Sequence, residues 1–524
     1  MSGLAHAVLA SARRHVDRPA LVVDGATHTY RELVDAASAI AELVRRVDDS
    51  ESRLCAVHAE RSFWSYAGIL GILMAGRGYV PLGPGFPAAR NLRMLERSGA
   101  TTVIVDRERV DACGEVLEGH EGPVTVIAPE ESAAPAWVEG SRHHALVAAD
   151  LARGAEPRAD EVGPDATAYL LFTSGTTGEP KGIGIRQRNV GSYIEAMQER
   201  VGLTPEDRCT QNFSLTFDLS VHDLFVTWSA GACLCAPPAA ALMAPAAFVR
   251  EQDVTCWFST PSTAGIMLRL RLLRPGSFPS MRRSIFCGEA LTCEVAEAWS
   301  HAAPSSVVDN IYGPTEATIA CTGYIYRPGT PADDLPNGVV PIGRPFGGTR
   351  VQVVGEDLRP VAPGELGELL LGGTQVAGSY WRDPERTERA FISSPELGEP
   401  SPWYRTGDLV AVSPDGDLVY HGRADDQIKI RGHRVELQEV ESVIRSASRA
   451  AIVVAMGWPR TPAGADGVIA FLSGGEATDE EILEACRLAM PSYMVPSRLH
   501  RVDDVPQNAS GKVDRRRLLA LVEA

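Results

Sequence analysis

The stretch Tyr169-Leu-Leu-Phe-Thr-Ser-Gly-Thr-Thr-Gly-Glu-Pro-Lys181 decides how this chain folds and what it holds. The apolar run from Ala168 to Phe172 reads as a buried strand. It breaks into a loop with hydroxyls at Ser174, Thr176 and Thr177, glycines at Gly175 and Gly178, and a cation at Lys181. Glycines let a backbone approach an anion closely, hydroxyls and amides donate to its oxygens, and lysine adds a point charge. That composition suits polyphosphate. The loop is not a Walker A sequence, because Pro180 separates Gly178 from Lys181 and the following Gly-Ile-Gly-Ile alternates like a strand. A plain Gly/Thr hairpin turn is the simpler alternative, and the length of the motif argues against it.

Composition bounds the rest. At 524 residues the chain exceeds one hydrophobic core, so two or more domains are expected. Its 44% hydrophobic and 22% charged content are those of a globular protein. A net charge of -17 argues against a general nucleic-acid binder. Ten cysteines lie scattered without zinc spacing, which fits a reducing cytoplasm. No leader pattern opens the chain. The apolar stretch Phe63 to Ala75 is too short to span a bilayer and reads as a core helix.

Short strand patterns at Ala20–Val23, Leu54–Val57 and Thr102–Val105 alternate with helical ones such as Tyr30 to Arg46, predicting α/β layers with largely parallel sheets. Residues Ala128 to Ala166 read as a loop-rich insertion, and Arg327 to Gly338 as a further loop. From Arg423 the character changes. A helix with one apolar stripe (Val435, Val440, Val443, Ile444), a strand at Ala451–Met456 and a helix at Glu480–Ala489 form a small α+β unit.

Further segments match one family in its order: Phe217-Asp-Leu-Ser-Val-His-Asp-Leu-Phe225, Asn310-Ile-Tyr-Gly-Pro-Thr-Glu-Ala-Thr318, Gly364-Glu-Leu-Gly-Glu368, Tyr404-Arg-Thr-Gly-Asp-Leu409, Gly422 to Glu436 and Asn508-Ala-Ser-Gly-Lys-Val-Asp514. With the loop, they resemble the adenylate-forming (ANL) enzymes over nearly the whole chain. The amino-acid-activating branch of nonribosomal peptide synthetases fits best, particularly stand-alone enzymes resembling D-alanine–carrier protein ligases and the β-amino-acid enzymes of macrolactam pathways. The resemblance implies an α/β fold with a large N-terminal domain of mixed α/β layers (1–424) and a small, mobile α+β C-terminal domain (425–524), hinged at Asp425. It implies ATP and Mg²⁺ as cofactors. It also implies a cytoplasmic ligase that adenylates an amino acid and loads it onto the phosphopantetheine thiol of a discrete carrier protein in trans.

Site residues follow from the motif matches. Thr173, Ser174, Gly175, Thr176, Thr177 and Lys181 would cradle phosphate. Tyr312 would stack on adenine, Gly313 and Thr315 would line the ATP site, Asp408 would accept from the ribose hydroxyls, and Arg423 would approach ribose or phosphate. Glu316 would hold Mg²⁺, which favours a carboxylate or two plus phosphate oxygens. Lys512 would bridge the substrate carboxylate and the α-phosphate, two anions that must meet. After the small domain rotates, Lys429 and its neighbours through Gly432 would frame the thiol channel.

Asp218 speaks to the acid. A carboxylate in an apolar segment is costly unless paired, and a substrate ammonium is a natural partner; a helix N-cap or an intraprotein ion pair is the alternative. Aligning the pocket adds Leu219, His222, Phe258, Ile285, Cys287, Ile311, Ile319 and Ala320. Phe258 and Trp257 compete for one position. The lining predicts a small or medium apolar side chain, α- or β-amino. At helical spacing His222 shares a face with Asp218, so it bonds Asp218, touches substrate or simply packs. Acyl-CoA synthesis and non-catalytic adenylate binding are the rival readings.

Overall fold

The structure, a computed structural model, describes the chain apart from residues 1–2, 153, 175–179, 243–244, 331–334, 336–337, 394–401, 425–426, 462–463, 504, 507–512, 514 and 524. The chain divides into two compact units. One comprises Met1–Pro84, Asn91–Phe172 and Gly182–Ala424; the other comprises Gly85–Arg90, Thr173–Lys181 and Asp425–Ala524.

Among its described residues the larger unit is built on three sheets. In the seven-stranded sheet the order is His144–Val147, Thr125–Ala128, Thr102–Val105, Leu54–His58, Gly78–Pro81, Thr167–Thr173 and Lys181–Arg186. Its neighbouring pairs from His144–Val147 through Thr167–Thr173 run parallel. The strands Leu54–His58, Gly78–Pro81 and Thr102–Val105 are buried throughout, as expected when helices cover both faces. The helix Tyr30–Val47 starts on a capping box, Thr29 with Glu32, and packs against the apolar helix Phe63–Met74. At Gly71 a Cβ would stand 2.7 Å from the Ala37 carbonyl oxygen, so only glycine permits that helix contact.

The nine-stranded sheet places Val307–Tyr312, Arg283–Phe286, Cys256–Ser259, Arg208–Thr210, Cys233–Cys235 and Pro19–Val23 side by side and parallel. Separate cores form on its faces. Phe258, Ile285 and Ile311 join the large core, while Trp257, Phe286 and Val308 pack with Trp299 in another. The third sheet holds Thr349–Val354, Gly367–Gly373, Trp403–Val412, Phe391–Ile392 and Leu418–Arg423.

The smaller unit contains a four-stranded sheet (His433–Glu436, Gln427–Ile430, Gly464–Ala465, Arg460–Thr461) and a three-stranded sheet (Ile452–Gly457, Val468–Ser473, Arg498–Arg501). Its longer helices are Leu437–Ser448, Asp479–Ala489 and Arg515–Glu523. The turn Arg431-Gly432 between its first two strands has positive φ at both positions (48° and 85°), the geometry of a tight hairpin.

The stretch Ala128 to Ala166 is loop-rich, as its composition implies, with a short strand inside it: His144–Val147 forms the edge strand of the seven-stranded sheet, paired in parallel with Thr125–Ala128. Its side chains are exposed or half-buried, which erases the apolar pattern that marks inner strands. Val435 does not belong to the helix. It faces Ile428 in a hairpin, and the helix starts at Leu437. A buried apolar residue next to a helix reads the same in either period.

Candidate functional site

Several of the residues expected to line a pocket gather near the carboxyl ends of the parallel strands, where open α/β sheets bind ligands. Register explains which residues meet. Phe258 lies opposite Ile285, and Ile285 opposite Asp309. With a side-chain period of two, Ile311 shares the face of Asp309, and Cys287 that of Ile285. Phe258, Ile285, Cys287 and Ile311 therefore line one face, all 2% exposed or less. Strand alternation turns Phe258 and Trp257 to opposite faces. The Phe258 ring lies 4.3 Å from that of His222, while Trp257 faces Trp299 at 5.1 Å.

The segment Phe217–Phe225 crosses this face. Asp218 precedes a single helical turn, Leu219–Val221, and a π-helical turn, His222–Val226, follows. Such turns cluster at functional sites because they re-aim side chains. Asp218 and Leu219 are buried. The Asp218 charge is felt by three buried phenols: burial first, then Asp218, pushes the Tyr79 and Tyr169 hydroxyls up, and Tyr193 rises through burial, Cys287 and Asp218. The Tyr169 hydroxyl has no hydrogen-bond partner among the described residues.

His222 does not bond Asp218. Its Nδ1 lies 2.7 Å from the Tyr193 hydroxyl, contributed by the helix Gln187–Val201. Burial lowers its pKa to about 3, so the ring is neutral at physiological pH. Nothing in the local sequence marks Tyr193, because its partner is 29 residues away.

A second group gathers where the strand Val307–Tyr312 ends. The Tyr312 hydroxyl donates to Asp408 Oδ2, and Arg423 Nη1 lies 2.6 Å from Asp408 Oδ1. Asp408 and Arg423 are register partners on neighbouring strands. Arg423 Nη2 also donates to the Thr406 carbonyl at 3.0 Å, which fixes the guanidinium. Tyr312, Gly313 and Thr315 are half-buried, whereas Glu316 is fully buried. Glu316 Oε1 accepts from the Tyr380 hydroxyl at 2.8 Å. Ile319 and Ala320 follow closely, with Thr318 and Ile319 at φ of 58° and 72°. Tyr380, like Tyr193, was not foreseen from the sequence.

In the smaller unit, Ser174 donates to the Arg434 carbonyl at 2.7 Å and accepts from the Glu436 N–H at 3.2 Å. Lys181 Nζ lies 3.4 Å from Glu436 Oε1. The Thr173 hydroxyl is buried without a partner among the described residues. Lys429 is half-buried in the strand Gln427–Ile430, opposite Arg434. Gly175, Thr176, Thr177, Asp425 and Lys512 lie outside the described residues.

Among the described residues no cluster of three or more His, Cys, Asp or Glu side chains forms a metal cage. A buried carboxylate oriented by a tyrosine fits the other mode, in which magnesium takes one or two protein carboxylates and completes its shell with phosphate oxygens and water. No described helix is long and apolar enough to cross a membrane.

Residues 8–381 match the family model described as AMP-binding enzyme, and 439–512 the one described as AMP-binding enzyme C-terminal domain. The phosphinothricin tripeptide synthetase PhsC of Streptomyces viridochromogenes is 34% identical over 520 residues, which is 98% of this chain and 45% of that protein. This chain thus spans less than half of that synthetase. Novobiocin biosynthesis protein H of Streptomyces niveus is 31% identical over 96% of this chain and 80% of its own length. Among solved structures, the Vibrio cholerae adenylation domain AlmE, in complex with glycyl-adenosine-5'-phosphate, superposes with a TM-score of 0.90 at 30% identity, covering 100% of this chain and 98% of that one.

Proposed function

This chain belongs to the AMP-binding enzymes, of the adenylate-forming type found in nonribosomal peptide synthetases, and on that premise we propose that it activates a small or medium apolar amino acid and loads it onto a carrier-protein thiol. The observation that carries the reading is Asp218, a buried carboxylate at the edge of an otherwise apolar lining of Leu219, Phe258, Ile285, Cys287, Ile311, Ile319 and Ala320. A substrate ammonium offsets the cost of that burial.

In the first half-reaction a carboxylate oxygen of the amino acid attacks the α-phosphorus of ATP. The bond to the bridging oxygen breaks, and pyrophosphate leaves with the electron pair. Asp408, steadied by Tyr312 and Arg423, takes the ribose hydroxyls with its remaining lone pairs. Thr173, Ser174, Gly175, Thr176, Thr177 and Lys181 hold the phosphates. Lys512 neutralises the two anions as they approach. Magnesium, held by Glu316, would supply positive charge to the departing pyrophosphate. In the second half-reaction the phosphopantetheine sulfur attacks the acyl carbon of the mixed anhydride and AMP leaves, with Lys429 flanking the thiol path and Asp425 acting as the hinge. A reducing cytoplasm suits ten buried cysteines that form no disulfide.

The test is amino-acid-dependent exchange of labelled pyrophosphate into ATP across α-, D- and β-amino acids, paired with Asp218→Ala. Exchange with at least one amino acid, and loss of preference for it over its deaminated analogue in the variant, are expected. Folded enzyme silent on the whole panel overturns adenylation. Thioester formation with free coenzyme A as fast as with any carrier replaces the carrier step with acyl-CoA synthesis.

A further inference from the structure

We infer that Gln375 is a positioning residue that fixes the amino-acid pocket relative to the Glu316 carboxylate, by gripping the backbone of the segment between them. The inference rests on the reading of the site given above and deepens it.

The segment needs a grip. Thr318 and Ile319 both have positive φ, 58° and 72°. Left-handed backbone is disfavoured for L-residues, and a β-branched side chain such as isoleucine tolerates it least. Such a conformation persists only where surroundings over-determine it.

Gln375 supplies the restraint from 55 positions downstream. Its side chain is 1% exposed. Nε2 lies 2.7 Å from the Ala320 carbonyl oxygen and 3.4 Å from those of Ala317 and Thr318. Its two N–H donors thus serve three carbonyls of the stretch Ala317–Ala320. Oε1 accepts from the Thr349 hydroxyl at 3.2 Å, which orients the amide with its donors toward the segment. The Thr318 hydroxyl returns a bond to the Gln375 carbonyl.

Neighbouring groups complete the clamp. The Ala377 N–H donates to the Glu316 carbonyl at 2.9 Å, and the Tyr380 hydroxyl holds the Glu316 carboxylate. A Cβ on Gly313 would stand 2.5 Å from Ala320 Cα, so only glycine leaves the segment room. The segment carries Glu316 at one end and the pocket residues Ile319 and Ala320 at the other. A shift in its middle therefore moves the amino acid relative to the phosphates, and small misplacements of reacting groups are costly in rate. Tyr312 and Asp408 sit on separate strands and are not gripped by Gln375.

The experiment compares Gln375→Ala and the near-isosteric Gln375→Glu with wild type, using full-length protein checked by thermal melting. Pyrophosphate exchange gives kcat, KM for the best amino acid and KM for ATP separately. Loss of the donors is expected to raise the amino-acid KM and lower kcat by about tenfold each. The ATP KM should stay within about threefold, because its base and ribose contacts are untouched. Folded variants with all three values unchanged overturn the inference. So does a fall in kcat alone that tracks the unfolded fraction. A wild type inactive on every amino acid defeats the functional reading instead. The inference then stands on amide hydrogen exchange at Thr318–Cys321, which Gln375→Ala must accelerate locally, and it falls if protection there is unchanged.

Discussion

The Tyr193 hydroxyl sits 2.7 Å from His222 Nδ1, tying the helix Gln187–Val201 to the π-helical turn beside Asp218. Burial lowers the His222 pKa to about 3, far below the usual 6.5. The unfolded chain therefore takes up this proton near pH 6.5 and the folded chain only near pH 3. Stability is complete above pH 6.5 and is lost as pH falls through that window. His58, lowered to about 4 by burial and by Arg109, adds to the same slope. In urea titrations at pH 7 and pH 5, wild type should lose about 2 kcal/mol more than His222→Gln between the two. Parallel losses would show that His222 is not held neutral.

Lys512 tests the division of labour between half-reactions. Lys512→Ala is expected to depress pyrophosphate exchange by about a hundredfold or more, the cost of removing a charge-stabilising donor. Thioester formation from synthetic aminoacyl-AMP should survive within a few-fold. Equal loss in both assays contradicts the assignment.

Arg200 and Asp309 form a bidentate pair, with Nε–Oδ2 2.6 Å and Nη2–Oδ1 2.8 Å, that anchors the strand carrying Ile311. Burial raises the Asp309 pKa and Arg200 opposes the rise. Arg200→Met leaves the carboxylate uncompensated and should cost about 3 kcal/mol. The penalty should be larger at pH 8 than at pH 5, because a carboxyl with a raised pKa loses stability as pH climbs through that value. Denaturation of the single variant and of Arg200→Met with Asp309→Leu checks this, since the double variant should recover most of the loss. A single variant as stable as wild type would rule the pair out as a support for the strand.

Cys287, 1% exposed, shares the sheet face of Ile285, where the proposed side-chain subsite would lie. Cys287→Ala makes room there. Competition between the best amino acid and its homologue one methylene longer should shift toward the homologue by about tenfold, the discrimination one methylene provides. An unchanged ratio would place Cys287 outside the side-chain subsite.

Much of this molecule was legible along the chain. The strand Thr167–Thr173 and the strand Lys181–Arg186 flank the loop as its composition implied, and the helix Phe63–Met74 follows from a run apolar on every side. Edge strand His144–Val147 escaped because a half-exposed strand carries no apolar signature. Val435 reads as helix or strand alike, because one buried apolar residue fits both periods.

The proposed site was legible only where motifs carry it. Asp408 and Arg423 stand 15 residues apart in recognisable segments, and the sheet makes them register partners. Tyr193, Gln375 and Tyr380 carry no such flag. Each acts across a gap of 29 to 64 residues, and nothing beside them in sequence distinguishes a tyrosine or glutamine that reaches the site from one that fills the core.

The order of amino acids by itself determined several of the inner strands and the apolar core helix, the motifs of the family, and that a carboxylate stands in an apolar segment. These depend on local periodicity and short-range backbone preference. Tertiary structure alone decided that Phe258 rather than Trp257 turns toward His222, that His222 bonds Tyr193 rather than Asp218, and that Gln375 grips the strained backbone at Ile319. Those outcomes depend on strand register and on distance between remote segments, which only packing fixes.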